Sequence, residues 1–487
     1  MNFAQAEFAI FLFVVVAGTW LFRTPRPRHL WLLSASYYFY AHWDWRFCGL
    51  LMLSTAVDYR LALCIESSNN QRYRRGWLLC SIVSNLSVLG FFKYANFFRD
   101  TFADFLFRTG FVDEPSLGPA WQIILPVGVS FFTFQTLSYT VDVYRGKLAA
   151  CRSVTKFALY VAFFPQLVAG PIVRAAQFLP QLEQVPTWNG RRFYAGLQQV
   201  LRGLVKKILV ADWLADTVDV VFAGPDLYTP GTVILAVIAF AAQIYYDFSG
   251  YTDIAIGVAK ILGYRFPVNF RHPYCATSIR DFWRRWHITL SRWLRDYVFV
   301  PLGGSRCGGW TTRRNLMTTM GLGGLWHGAA MPFVVWGCWH GMALVAFHMM
   351  KSVPAVVADG KTSQPRRSRL RSFLGWLATM MVVLIGWVLF RAPDMETAGL
   401  IFSTILGLGA IGTVGDSSLP AIAWYPPVTI GLLMVALAEH IVWASGGRRW
   451  MRLPADRWFS PVVTTVLIWL LLIASPAGYR PFVYFQF

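Results

Sequence analysis

The sequence predicts an all-α, polytopic integral membrane protein, and two observations carry that prediction. Of 487 residues, 56% are hydrophobic and 14% charged, with 22 tryptophans and 39 phenylalanines, a composition that belongs to membrane proteins. The apolar runs recur from end to end, leaving no long hydrophilic segment from which a soluble domain could be built. A single membrane-embedded body over residues 1–487 is therefore expected, with about 11–13 membrane helices, some broken or re-entrant, at roughly 20 apolar residues per span.

The first run, MNFAQAEFAIFLFVVVAGTWLF, has no basic leader and carries Glu7. It reads as a retained first helix rather than a cleaved signal peptide, so the mature chain is expected to begin near Met1. Clear spans lie at about 7–23, 47–65, 76–96, 122–140, 231–247, 373–390, 427–445 and 460–476. Less regular ones lie at 29–41, 155–173, 198–222, 316–331 and 333–350, interrupted by Pro, Gly or charge, as in Phe164-Pro165-Gln166 and Gly170-Pro171. Such breaks are sustained only where protein or a cavity surrounds the backbone instead of lipid.

Charge sets the orientation. Stretches 23–29, 69–76, 361–371 and 446–457 and the region of Arg145, Lys147 and Arg152 are basic, whereas 99–120 and 392–425 hold Asp100, Asp104, Asp113, Glu114, Asp394, Glu396 and Asp416. With the basic group in the cytoplasm, both termini are expected outside the cytoplasmic membrane. The formal net charge of +20 is then a matter of topology and lipid headgroup contact, not of nucleic-acid binding. The outward segments reach only about thirty residues, so chemistry on a large external substrate calls for a partner.

Seven scattered cysteines without a CxxC pair indicate neither a metal site nor a disulfide framework. GLGAIG at 407–412 matches GxGxxG but lacks its strand context, and no GxSxG, Walker or HExxH pattern occurs.

Three segments can carry chemistry. In 278–304, Trp283, Trp286, Leu290, Trp293, Leu294 and Tyr297 recur at helical spacing with Arg284, Arg285, Thr289, Arg292 and Asp296 on other faces, which predicts an amphipathic helix at the cytoplasmic interface. His287 near its apolar stripe is more than an anchor requires. Residues 315–350 predict a helical hairpin in which Gly321, Gly323, Gly324 and Gly328 surround Trp326 and His327. Small residues admit a neighbouring backbone or a substrate, and an ionisable residue at that depth is a candidate functional site; a core histidine bonded to a carbonyl is the structural alternative. His340, in a second WHG triplet, is expected in a supporting role, and His29, His42, His348 and His440 in structural ones. In QIYYDFSGYTDIAIG (243–257), Asp247, Ser249 and Asp253 either line a polar passage or cap a helix broken at Ser249-Gly250.

Several long motifs follow one another along the chain: FFKYANFF (91–98), LPVGVSFFTFQTLSYTVDVYRG (125–146), FFPQLVAGPIVR (163–174), QIYYDFSGYTDIAIG, FWRRWHITLSRWLRDYVFVPLGG (282–304), GGLWHGA (323–329), GWVLFRAPD (386–394) and PFVYFQF (481–487). In this order they resemble the membrane-bound O-acyltransferases, and among them the bacterial branch that includes the alginate O-acetyltransferase membrane subunit. The resemblance implies a ring of membrane helices around a thin centre, where a tunnel links a cytoplasmic donor site to the far face. It also implies a catalytic histidine at His327. A second polar position, Asn or Asp in many eukaryotic relatives, falls on His287, a departure shared by the alginate-type branch.

Acyl transfer from a thioester to a hydroxyl needs a base, and histidine, with an ordinary pKa of about 6.5, suits that task when burial keeps it neutral. The expected donor is acetyl-coenzyme A, met by Arg284, Arg285, Arg292, Trp286 and the 306–314 loop, with no permanently bound cofactor. Asp247, Ser249, Asp253, Trp326 and His340 are expected to line or support the tunnel. The expected acceptor is an extracytoplasmic polysaccharide (alginate, cellulose or a related polymer), reached through a periplasmic acetyltransferase or esterase-like partner; peptidoglycan O-acylation and D-alanyl transfer to teichoic acid are the related alternatives. A transporter would call for internal repeats in two halves, which the sequence lacks, and a pure scaffold leaves His327 without a purpose.

Overall fold

The computed structural model of the chain describes residues 3, 5–114, 121, 123–352, 369–408, 421–446, 460–473 and 480–483. The basic stretches 361–368 and 447–457, the glycine-rich match beyond Leu408 and the tail at 474–479 and 484–487 lie outside them. The described residues are helical, and their β-type pairing is an isolated bridge between Tyr228 and Ile422. Six described helices are long and apolar enough to cross a membrane: Arg46–Ser67, Gln71–Arg108, Pro230–Ile261, Met331–Met350, Arg369–Arg391 and Pro427–Ala444. Shorter apolar helices lie at Glu7–Leu21, Met395–Ile405 and Val462–Ile473.

The chain divides into two compact units, Met1–Gly203 with Tyr251–Pro267, and Leu204–Gly250 with Val268–Phe487. The helix Pro230–Ile261 contributes to both. It runs unbroken for 32 residues, which corrects the break expected at Ser249-Gly250. A glycine in a helix interior costs about 1 kcal/mol relative to alanine. Tyr246, Phe248 and Tyr251 beside it are all buried, and burial of one such side chain contributes about 1.5–3 kcal/mol.

In the first unit, the helix from Gln71 starts where the Asn70 side chain accepts from the Arg72 N–H at 2.8 Å, satisfying one of the donors a helix leaves open at its N-terminus. It passes a π-turn at Gly90–Tyr94 and continues to Arg108. Helix Gly190–Leu204 crosses the end of the long helix at Gly196 and Gly257. A Cβ on either would lie 2.7–2.8 Å from the other's carbonyl oxygen, so only glycines permit this approach. Asp58, Ser81, Asn85, Thr136 and Thr140 form a buried polar cluster among three helices of this unit.

In the second unit, helices Gly309–His327 and Met331–Ser352 form the hairpin expected over 315–350. They pack closely enough that a Cβ on Gly337 would lie 2.5 Å from the Met320 carbonyl. Helix Arg369–Arg391 lies against the second arm, and the fully buried Trp286, Trp336 and Trp387 fill the core. The single amphipathic helix expected over 278–304 is replaced by Ile279–Trp283, Ile288–Leu294 and a π-turn at Arg295–Phe299. The break is at His287, whose φ of +40° and ψ of +56° are left-handed and incompatible with a continuing α-helix. Trp286, Leu290, Trp293 and Leu294 are consequently buried in protein.

Candidate active site

The site begins at this elbow. Ser278 caps the short helix Ile279–Trp283 by accepting from Asp281 N–H at 3.2 Å, and the chain then turns through Arg284 to Trp286. A non-glycine residue held in the left-handed region costs about 1–3 kcal/mol and persists only where its surroundings hold it there. Asn269 does so here. Its backbone carbonyl accepts from Ile288 N–H at 2.9 Å, and its Oδ1 accepts from Thr289 N–H at 3.2 Å and from Thr289 Oγ1 at 2.9 Å.

The same Oδ1 lies 3.2 Å from His287 Nδ1. Because the Thr289 N–H can only donate, that amide atom is an acceptor, so Nδ1 of His287 carries the proton and Nε2 carries the lone pair. His287 is fully buried, and its Nε2 has no hydrogen-bond partner among the described residues. The rings of Phe248 at 4.7 Å and Trp326 at 6.1 Å meet it edge-on.

His327 ends the first hairpin arm, before Gly328 leaves the helix in an extended conformation. It is 5% exposed, and Trp326, Trp336 and Phe390 surround it at 4.9, 5.0 and 5.1 Å. The two imidazoles of His287 and His327 thus pack against the same Trp326 indole. Trp336 has a second neighbour, the ring of His340 at 4.9 Å, which also meets Trp283 at 5.3 Å. Tryptophan therefore links the three histidines.

Beside Trp283 opens a pocket of about 800 Å³, within the size range of small-molecule sites. Arg271, Arg280, Arg284, Arg292 and Arg295 line it, together with Ser291, Thr312, Thr319 and His348. Arg284 and Arg292, named in the sequence reading, are among these lining residues. Arg285 is directed elsewhere: it pairs with Asp281 at 2.9 Å and lies over Trp443 at 5.0 Å. Trp286 sits between Phe270 at 5.0 Å and Trp387 at 4.8 Å in the aromatic core, off the pocket wall. His272, the other non-glycine residue with a left-handed backbone among the described residues, stacks on Trp443 at 4.9 Å. Burial pushes its imidazole down to about 4, against the opposing pull of Glu439.

The acidic residues of 243–257 separate. Asp247 is fully buried and pairs with Lys207 at 2.8 Å; Ser249, also buried, follows within the same helix. Asp253 belongs to the first unit, where it accepts from Gln199 Nε2 at 2.9 Å.

Two buried histidines, an arginine-lined pocket and membrane-crossing helices coincide with a family match. The model of the membrane-bound O-acyltransferase family matches residues 148–382. A probable alginate O-acetylase of Azotobacter vinelandii is 36% identical over the full length of both chains. This chain belongs to the membrane-bound O-acyltransferase family. A probable alginate O-acetylase of Pseudomonas aeruginosa is 40% identical over 84% of this chain and 75% of its own. A peptidoglycan O-acetyltransferase of Helicobacter pylori is 34% identical over 80% and 76%. The chain is accordingly an O-acyltransferase and an integral membrane protein.

Around the acyltransferase's histidines, sequence reasoning overlooked Asn269, Lys207, Trp336, Phe390 and the pocket arginines 271, 280 and 295. The arginines were legible as part of a basic run from Arg271 to Arg295. Asn269 offered no signal, because its importance depends on a backbone conformation eighteen residues later.

Proposed function

We propose that this O-acyltransferase takes an acetyl group from acetyl-coenzyme A and passes it across the bacterial cytoplasmic membrane for O-acetylation of an extracytoplasmic polysaccharide. The observation that carries the proposal is the continuity from the arginine pocket through Trp283, His340 and Trp336 to His327. Arginine forks match phosphate geometry, so Arg271, Arg280, Arg284 and Arg292 hold the donor's phosphates. Its thioester extends toward the histidines. The 36% identity to a probable alginate O-acetylase over the full length of both chains supports an exopolysaccharide acceptor, and the short outward segments support relay through a periplasmic partner, with both termini on that side.

In the transfer, the hydroxyl oxygen forms a bond to the acetyl carbonyl carbon and the carbon–sulfur bond breaks. His327 takes the hydroxyl proton as the oxygen attacks and returns it to the departing thiolate, leaving an ester and free coenzyme A. A positioned base of this kind contributes about 10²–10⁴-fold. His287, with its lone pair on Nε2, accepts a hydrogen bond from the bound substrate and orders it. The test is the acetyl ester content of exported polymer from cells carrying wild type or His327→Ala at equal membrane abundance. Acetylation is expected to fall at least 100-fold; unchanged acetylation overturns the assignment.

A further inference from the structure

The mechanism leaves one buried charge cluster unused. Lys207, 5% exposed, sits between two carboxylates, 2.8 Å from Asp212 Oδ1 and 2.8 Å from Asp247 Oδ1. Buried ion networks stabilise a fold poorly, because desolvation offsets the attraction, and a well-packed apolar replacement is often as good. What such a network provides well is a defined position for whatever it binds.

Here it binds the closing segment of the chain. Asp247 Oδ2 accepts from the Val483 backbone N–H at 2.7 Å, and Lys207 Nζ donates to the Pro481 carbonyl at 3.5 Å. Both backbone groups are thereby satisfied, as buried backbone polar groups require. Arg480 adds ion pairs to Asp216 and, at 3.3 Å, to Asp219. Four consecutive residues are thus held at three points by groups on the flanking helices.

Phe482, in the middle of that segment, is fully buried, with its ring 5.4 Å from Phe248. Phe248 follows Asp247 directly in the long helix and meets the edge of His287 at 4.7 Å. One pair of adjacent residues therefore grips the tail on one side and supports an imidazole on the other. His287 occupies a strained backbone conformation, and Asn269 bonds only its Nδ1. Phe248 forms a ring wall against the imidazole and itself packs on Phe482 at 5.4 Å and on Phe270 at 5.0 Å.

We infer that Arg480–Val483 is a positioning element for His287: the Lys207–Asp247 pair clamps this segment so that Phe482, through Phe248, fixes the imidazole for reaction. The inference rests on the acyl-transfer reading and assigns Asp247 to anchoring the tail, not to lining a polar passage. The segment acts on His287 through the Phe482–Phe248 contact.

Phe482→Ala removes the wedge and leaves the ion network intact. In membranes from cells expressing the full chain, kcat for acetyl transfer is expected to fall about 10-fold, as misplacement of a reacting group does, with KM for acetyl-coenzyme A unchanged. Phe482→Leu restores most of the rate. Phe248→Ala gives a similar loss, and the double variant is no slower than Phe248→Ala alone, because both changes release the same ring. Losses that multiply, or a folded Phe482→Ala protein with wild-type kcat, overturn the inference. A change confined to KM also overturns it. Wild-type protein that transfers no acetyl group from this donor sinks the acyl-transfer reading instead, so the two failures are told apart.

Discussion

Asp58 in the first unit and His287 in the second are both completely buried, yet their hydrogen bonding differs. Both Asp58 oxygens are occupied, Oδ1 by Ser81 Oγ at 2.6 Å and Oδ2 by Asn85 Nδ2 at 2.8 Å. The partners are occupied in turn, Asn85 Oδ1 by Thr136 at 2.9 Å and Ser81 by Thr140 at 3.0 Å. His287 is satisfied on one side only. A buried polar atom left open costs about 1–3 kcal/mol, and natural folds keep few of them. A closed network spends its bonding capacity on holding helices together; an open one reserves it for something that arrives. Within the same chain, the Asp58 cluster is closed, whereas His287 leaves an acceptor open.

His287→Asn attacks the open site most directly. Asparagine tolerates the left-handed backbone better than other side chains with a Cβ, so the elbow is retained while the ring and its Nε2 lone pair are lost. Turnover is expected to fall roughly 10- to 100-fold, as loss of substrate ordering does, with the thermal midpoint of the detergent-solubilised protein little changed. Full activity in this variant would erase the contrast with Asp58.

Asp58→Ala is the opposite case. It leaves Ser81 and Asn85 without their acceptor, at a cost of about 1–3 kcal/mol. The expected result is a lower thermal midpoint and less protein in the membrane, with unchanged turnover per folded molecule. Lost turnover at full stability would make Asp58 functional and the comparison false.

The residues made these two sites unequally legible. His327 stood out because glycines and tryptophans surround a titratable group in a membrane-length run, and the hairpin carrying it forms as its pattern predicts. His287 was visible as a residue but not in its geometry: helical spacing of the tryptophans implied one continuous helix, whereas burial of those same tryptophans in protein favours an elbow. Ser249-Gly250 misled in the other direction, since local propensity predicted a break that the packing of Tyr246, Phe248 and Tyr251 overrides. The positions of Arg285 and Trp286 were hidden because helical spacing assigns a face but not what that face meets. Asp281 and Trp443 take the arginine, and Phe270 and Trp387 enclose the indole.

The smallest expected effect comes from the far side of the same aromatic chain. Gly386, on helix Arg369–Arg391, faces His340 so closely that a Cβ there would lie 2.6 Å from Nε2. In Gly386→Ala the imidazole has to shift, and Trp336, with His340 on one side and His327 on another, is displaced with it. Crowding of this kind costs about 1–3 kcal/mol of stability, and turnover is expected to fall by a few-fold through movement of His327. His340→Ala in the same background removes the clash. If the defect travels along the ring chain, the double variant regains the turnover of His340→Ala alone. A defect that persists without the imidazole would mean that Gly386 acts on helix packing and that the path from His340 to His327 carries no displacement.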